Sequence, residues 1–196
     1  MVLHRPFEPA RQTRTYPCRC VFFALRREFV GWCGSYSENI TVGLNASVCC
    51  NCVKEHKAPP HPFPELLAFD ETGEPILKSD GDINLKFWLQ HDKWYRDSCP
   101  HSGYLVCKRL GNITAVAYVR GFLENNSASS FPLLLERVVY SGTHTGDRIS
   151  ARDVPQLLIE TRRLQSLTSD PIILQFTNDV VELADASVAT GNPIVF

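Results

Sequence analysis

Alternation of apolar and polar residues between positions 40 and 48 restricts the fold of this chain more than any other feature of its sequence. Small or polar residues separate five apolar ones, which are Ile40, Val42, Leu44, Ala46 and Val48. A period of two places all five apolar side chains on one face of an extended strand. The stretch therefore predicts a β-strand with one buried face.

Shorter apolar segments predict the remaining strands. Cys20 to Leu25 and Phe29 to Cys33 flank three charged residues, and this arrangement is typical of a β-hairpin. Four more strands are predicted at residues 66–69, 75–77, 133–140 and 194–196. The strand at 133–140 is expected to be central in the sheet.

Helices are predicted where apolar residues recur at intervals of three and four. The first begins at Leu85 and must end before Pro100. Its stripe at helical spacing continues through Trp88, Leu89, Asp92 and Tyr95. The third is expected to begin with Ser150 as its N-cap, because Ser-Ala-Arg-Asp follows a capping-box pattern. The second, third and fourth helices are predicted at residues 112–124, 150–164 and 174–189.

Together these elements predict an α+β fold, an antiparallel sheet with three to four helices packed on it and a Cys-rich N-terminal β-hairpin. Residues 1–16 are basic and rich in proline and are expected to form a mobile tail. Residues 17–196 then form a single domain. The prolines of residues 56–64 exclude regular structure and suggest a soft subdomain boundary there.

Composition narrows the class of protein. The chain has 196 residues, of which 44% are hydrophobic and 21% charged, and this balance is typical of a globular domain. A formal net charge of −1 gives no overall attraction to nucleic acid or to an acidic membrane surface. Neither an export signal nor an apolar stretch of about 20 residues is visible. A cytoplasmic protein without nucleic-acid or membrane partners is therefore expected.

In a reducing cytoplasm, the eight cysteines indicate free thiols or metal ligands rather than disulfides. Two C-x-C pairs are the candidate ligands of a structural Zn²⁺ ion, formed by Cys18, Cys20, Cys50 and Cys52. C-x-C is an unusual spacing for a zinc ribbon, so small buried hydrophobic residues are the favoured interpretation of these cysteines.

A second group of metal-binding residue types is formed by Cys99-Pro100-His101, with His91 and Asp97 before it. Nothing in the sequence brings His91 and Cys99 together, and the i, i+4 histidine pair of many zinc enzymes is absent. A turn with a half-exposed His101 is the favoured interpretation, with His101 also counted among the candidate binding residues.

The polar loop of residues 141–147 lies before the third predicted helix. Its glycines permit tight turns, and a helix start attracts negative charge. Thr143, His144 and Asp147 are therefore candidate residues for binding an anion or a partner's carboxylate. Because no nucleophile pattern accompanies His144 and Asp147, a structural turn is the preferred alternative to catalysis.

From Phe131 to the end, the chain resembles bacterial immunity proteins of polymorphic toxin systems, of the immunity protein 70 type. Three features carry the resemblance: Phe131-Pro132, the polar loop ending at Asp147 with the helix after it, and the closing residues 190–196. Cys99-Pro100-His101, followed by Arg109 and Asn112, is similar to an uncharacterised bacterial group with a Cys/His turn.

The resemblance implies a non-catalytic protein that binds and neutralises a protein toxin domain. Two alternatives remain open from the residues themselves. One is a metal-dependent enzyme with a cluster of cysteine, histidine and aspartate, using His91, Cys99, His101, His144 and Asp147. The other is a zinc-stabilised adaptor whose Cys-rich hairpin is the working surface.

Overall fold

A computed structural model describes residues 20–23, 30–33, 43–78 and 85–196, the first two ranges by their backbone only. The predicted tail of residues 1–16 lies outside these ranges. Eight strands and four α-helices follow one another in this order: β1 Cys20–Phe23, β2 Val30–Cys33, β3 Gly43–Cys49, β4 Leu67–Phe69, β5 Pro75–Leu77, α1 Leu85–Asp97, β6 Tyr104–Asn112, α2 Ile113–Asn125, β7 Arg148–Ile149, α3 Val154–Ser166, α4 Pro171–Thr190 and β8 Ile194–Val195.

The main sheet has four antiparallel strands in the order β6-β3-β8-β7. Strand β3 lies inside it, paired with β6 along its whole length and with β8 at Ser47. The alternation of the sequence is confirmed over the described part of this strand, since Leu44, Ala46 and Val48 are buried. Ile40 and Val42 lie outside the described residues.

Helices α2, α3 and α4 enclose the hydrophobic core together with the main sheet, which confirms the α+β class and the antiparallel sheet. Helix α4 contacts both β3 and β6, and α3 packs along α4. The largest side chains at the centre of this core are Phe131 and Phe176. The pairing of β1 with β2 agrees with the predicted hairpin, and the two short strands predicted at 66–69 and 75–77 form a second separate pair, β4-β5.

Two helices have the ends that the sequence predicts. Asn112 precedes α2, and its side chain accepts a hydrogen bond from the backbone N–H of Ala115. Helix α4 ends at Gly191, whose φ of 71° is a left-handed conformation that glycine adopts without steric cost. Its start was placed too late, because Asp170 caps the helix through the N–H groups of Ile172 and Ile173.

The strand predicted at 133–140 is wrong. Residues Leu134–Val138 form a π-helix, with Leu134 and Val138 buried. A short apolar run has the same composition in a buried helix as in a buried strand, so periodicity does not distinguish them. The buried carboxylate of Glu160, on α3, accepts hydrogen bonds from the N–H groups of Leu133 and Leu134 and so stabilises the helical start.

The predicted N-cap at Ser150 is also wrong. Helix α3 begins at Val154, and residues 150–153 form a separate turn closed by the bond from Asp153 N–H to the Ser150 carbonyl, 2.9 Å long. The Ser150 hydroxyl donates to the Asp153 carboxylate at 2.6 Å instead of accepting from a helix N–H group. Pro155 supplies part of the reason, since a proline fits the first turn of a helix.

Helix α1 begins where predicted, but only the C-terminal end of the predicted stripe is buried. Tyr95 is buried as predicted, whereas Leu85 and Leu89 are 70% and 60% exposed, and the buried His91 was not on the stripe. Strand β6 follows the helix and was not predicted, because its lysine, arginine and glycine obscure the strand pattern. It supplies the longest pairing of β3.

The proline-rich connector lacks helix and strand between Lys57 and Phe63, as predicted, and ends in a short 3₁₀ helix at Pro64–Leu66. The subdomain boundary placed there stays a prediction. Within the described ranges, none of the helices combines the length and the apolar character needed to cross a bilayer.

Candidate metal centre

Four side chains with metal-binding atoms converge where β3 ends. The ligand atoms of Cys50, Cys52, Cys99 and His101 all lie within 4.8 Å of one another. The Sγ atoms of Cys50 and Cys99 are 3.7 Å apart, and Cys52 Sγ is 3.2 Å from Nδ1 of His101. The cluster is therefore compatible with a metal site.

The first ligand pair lies in the turn that follows β3. Beyond Cys50 the chain bends back on itself, and the N–H groups of Glu55 and Lys57 bond to the carbonyls of Asn51 and Cys52. Both cysteines are buried, at 7% exposure each. A C-x-C pair in this turn can direct two thiols towards the same point.

The second ligand pair lies in the turn between α1 and β6. The N–H of Ser102 bonds to the carbonyl of Cys99, and Ser102 and Gly103 both have positive φ. A Cβ atom on Gly103 would lie 2.4 Å from the ring of Tyr95, so only glycine fits at this close approach. The bond from Cys50 N–H to the Gly103 carbonyl, 2.9 Å long, joins this turn to the first.

Two of the ligand separations are close to those expected in a tetrahedral zinc site. A Zn–S bond is about 2.3 Å and a Zn–N bond about 2.0 Å, which places two sulfurs about 3.8 Å apart and a sulfur and a nitrogen about 3.5 Å apart. The corresponding separations here are 3.7 Å and 3.2 Å. Three cysteines and one histidine form one of the common ligand sets of structural zinc sites.

The thiols differ in their electrostatic surroundings. Burial raises the pKa of Cys50 to about 12 and also raises the pKa of Cys52. At Cys99 burial acts in the same direction, but hydrogen bonds from the backbone of Gly103 and His101 outweigh it and lower the pKa. A metal ion bound here would have to displace protons from the buried thiols, since thiolate is the binding form.

Cys49 is a buried cysteine next to the cluster that is not one of its members. It is the fourth free thiol among the described residues, adjacent in sequence to Cys50 and buried at 3% exposure. Its surroundings are Tyr95, Thr72 and the carboxyl group of Glu74. Burial, the largest effect, and the nearby carboxylates raise its pKa to about 12. Cys107, by contrast, is disulfide-bonded, so the expectation of free thiols or metal ligands is wrong for that residue.

The buried Asn192, just after α4, supports the first turn from the other side. Its amide donates to the carbonyl of Cys49 at 2.8 Å and to the side chain of Asn51 at 2.9 Å. The Asn192 amide oxygen in turn accepts from Lys54. Asn192, next to the Gly191 that ends α4, thus also supports the candidate centre, a role that local sequence does not indicate.

The cluster takes two residues from each of the two sets of candidate metal ligands identified in the sequence. Cys50 and Cys52 were predicted as ligands, and Cys99 and His101 were considered separately in a metal set with His91 and Asp97. Cys18 lies outside the described residues, and only the backbone of Cys20 is described, so their part in a site stays a prediction. Because β6 was not predicted, nothing in the sequence placed the second turn beside the first.

The loop of residues 141–147 is a separate feature. His144 is almost fully buried, with Nε2 2.8 Å from the carbonyl of Val138 and Nδ1 3.1 Å from the carboxylate of Asp147. Its ring lies between those of Tyr140 and Phe196, and the Tyr140 hydroxyl donates to Asp147. Both ring nitrogens of His144 thus face groups of the protein itself, as expected of a structural turn.

Thr143 is exposed at the surface of this loop. The N–H of Gly146 and the carbonyl of Asp147 bond to the backbone of Phe196, so the loop holds the C-terminal strand. Recognition of an anion or a partner by Thr143, His144 and Asp147 stays a prediction. His101, the fourth candidate binding residue, lies in the cysteine cluster and not in this loop.

No family model, curated protein or solved structure matches this chain.

Proposed function

We propose that this protein binds one Zn²⁺ ion through Cys50, Cys52, Cys99 and His101, and that the ion has a structural role. The observation that carries the proposal is the convergence of four ligand atoms within 4.8 Å from two turns about 50 residues apart in sequence. Two of the three thiols are buried. Buried polar groups are normally hydrogen-bonded, and buried charged groups are paired or coordinate a metal.

The ligand count favours a structural site over a catalytic one. A tetrahedral zinc ion that has four protein ligands keeps no open position, whereas catalytic zinc typically has three and a water. The ion would join the end of β3 to the turn between α1 and β6. Helix α1 has few other connections to the main sheet, so the site would determine where that helix lies.

Cobalt substitution tests the ligand set. Co²⁺ added to metal-free protein should give the visible and thiolate charge-transfer absorption of a tetrahedral Cys₃His site, saturating at one equivalent. Cys99→Ser should weaken that absorption strongly, because a ligand is lost. Cys49→Ser removes a neighbouring buried thiol outside the cluster and should leave the spectrum unchanged.

Two spectroscopic results would contradict the proposal. If Cys49→Ser and Cys99→Ser altered the spectrum equally, cobalt would be bound somewhere other than the cluster. A five-coordinate spectrum that responds to added anions would instead indicate an open position, and would favour the metal-dependent enzyme considered from the sequence.

We also propose, from the resemblance of residues 131–196 to immunity proteins alone, that the protein neutralises a toxin as a non-catalytic partner. A toxin domain encoded beside its gene should then co-purify with it at one-to-one stoichiometry and lose activity. Survival of toxin activity at saturating concentrations of this protein would contradict that function without bearing on the zinc site.

A further inference from the structure

Two histidines outside the metal cluster form a continuous hydrogen-bonded chain. His61 lies in the proline-rich connector and His91 on α1, and both are buried, at 6% and 7% exposure. The N–H of Phe63 lies 3.0 Å from His61 Nδ1, His61 Nε2 lies 3.1 Å from His91 Nδ1, and His91 Nε2 lies 3.1 Å from the carbonyl of Pro75. These three hydrogen bonds thus join the proline-rich connector, α1 and β5.

Chemistry determines where each proton lies in this chain. The backbone N–H of Phe63 can only donate, so Nδ1 of His61 accepts and its proton is on Nε2. That proton is donated to Nδ1 of His91, whose own proton is then on Nε2 and is donated to the Pro75 carbonyl. Every donor and acceptor is satisfied only when both imidazoles are neutral.

Aromatic contacts hold the same segment, residues 59–63, which we call the strap. The ring of His61 meets Trp94 edge-on at 4.5 Å, and the ring of Phe63 meets Phe87 at 4.6 Å. The indole N–H of Trp94 donates to the carbonyl of Pro59 at 3.0 Å. The strap therefore covers one face of α1, with the histidine pair at its centre.

We propose that His61 and His91 form an acid-sensitive latch that releases the strap from α1 when either imidazole is protonated. A proton on Nδ1 of His61 would oppose the N–H of Phe63, and a proton on Nδ1 of His91 would oppose the N–H of His61. Either event replaces a hydrogen bond with two donors facing each other in a buried site, which is costly.

The charged and titratable groups near the latch set its direction. Four groups surround His91. They are His61 on the strap, Asp92 and Tyr95 on its own helix, and the Pro75 carbonyl on β5. Burial, the largest effect, and His61 lower the pKa of His91 below 6.5, while the Pro75 carbonyl and Asp92 oppose this change. The unfolded chain then binds more protons than the folded one, so the latch weakens as the pH falls below about 6.5.

NMR spectra of the full-length zinc-loaded protein, recorded between pH 7.5 and 5, follow two signals from the strap and its contact with α1. The backbone N–H signal of Phe63 and the indole N–H signal of Trp94 should shift together, with one midpoint below 6.5, and the Phe63 amide should lose its protection from exchange. Zinc retention is measured in the same samples, so that acid release of metal is distinguished from release of the strap.

Two variants test which groups titrate. In His61→Asn, the amide oxygen can still accept from Phe63 N–H but does not titrate, so the midpoint should shift because only His91 remains to titrate. His91→Gln can still donate to the Pro75 carbonyl and should also shift the midpoint, since only His61 remains. The double variant, with both changes, should show no midpoint. His56→Asn changes an exposed histidine near the strap and should leave the midpoint unchanged.

Four results would overturn the proposal: signals that do not move across the pH range, a midpoint that neither His61→Asn nor His91→Gln shifts, a midpoint that persists in the double variant, or a shift that occurs only when zinc leaves. The proposal does not depend on the zinc site, since a shift at constant zinc content supports the latch, and a protein without zinc can still show it.

Discussion

Glu74 is a carboxyl group that folding withdraws from water. It lies at the start of β5 next to Asp70, whose carboxylate accepts three hydrogen bonds within the turn from Thr72 and Glu74. Burial, the largest effect, and the charge of Asp70 raise the pKa of Glu74 from 4.5 to about 7, against the opposing bond from Tyr104. The folded protein therefore keeps a proton that the unfolded chain has lost, and stability falls as the pH rises between these values.

Glu74→Gln should remove this loss. The variant should be as stable as the parent near pH 5 and gain up to about 3 kcal/mol at pH 8, since each pKa unit corresponds to about 1.4 kcal/mol. Urea unfolding at the two pH values measures the difference. Glu65→Gln, an exposed change in the 3₁₀ helix, is the control and should show no such gain. Equal behaviour of the two variants would show that Glu74 is ionised in the fold.

For individual residues, the sequence indicated which side chains have metal-binding chemistry better than it indicated which of them lie close together. Cys50 and Cys52 were predicted as ligands from their spacing, and the Cys99-Pro100-His101 turn was recognised as a group with metal-binding chemistry. Their pairing depends on which strand lies beside β3, and that is a property of the sheet and not of either motif. Asn192 illustrates the same limit, because its partners lie more than 130 residues away.

Among the elements, the π-helix of residues 134–138 depends on a distant side chain. The N–H groups at its start, on Leu133 and Leu134, bond to the carboxylate of Glu160, which is 1% exposed. An unpartnered buried N–H group costs about 1–3 kcal/mol. We infer that Glu160 is needed for the helical conformation of a segment whose composition resembles a strand.

Glu160→Ala should destabilise the protein by about 3 kcal/mol or more, since it leaves two N–H groups without their acceptor and creates a cavity. Denaturant unfolding measures the loss. Glu136→Ala changes an exposed glutamate on the π-helix itself and should cost no more than about 0.5 kcal/mol. A loss below 1 kcal/mol for Glu160→Ala would mean that water satisfies the two N–H groups.

Elements with strong local signals were predicted well. Strand β3 has unbroken alternation, α2 has an asparagine cap, and α4 ends at a left-handed glycine. The errors fall where tertiary contacts override the local pattern: the 133–140 segment is helical because Glu160 caps it, and α3 starts late because Ser150 bonds to Asp153. Strand β6 was missed because its lysine, arginine and glycine obscure the strand pattern, and its pairing with β3 makes it a strand.

In the whole molecule, α1 is connected to its surroundings in three ways. Its buried Tyr95 donates to the Gly103 carbonyl and lies beside Cys49. The other two connections are the strap with its histidine pair and the proposed metal site after the C-terminal end of the helix. The core formed by α2, α3, α4 and the main sheet is continuous without any of them. Loss of the metal should therefore loosen one side of the molecule and leave the rest folded.

Hydrogen exchange with and without a strong chelator measures this difference. Chelation should increase exchange in residues 50–57 and 97–104, because metal binding is coupled to the order of these two turns. Amides of α4 around Phe176 and Leu183, which are buried in the core, should keep their protection. A uniform increase throughout the chain would show instead that the ion supports the entire fold.

We propose above that Cys50, Cys52, Cys99 and His101 bind one zinc ion. Elemental analysis of protein purified without a metal-affinity tag and under reducing conditions measures the bound zinc itself. We expect one equivalent of zinc per chain, retained in Cys49→Ser and lost in Cys99→Ser. Less than a tenth of an equivalent in the fully reduced parent protein, or equal zinc in both variants, would contradict it.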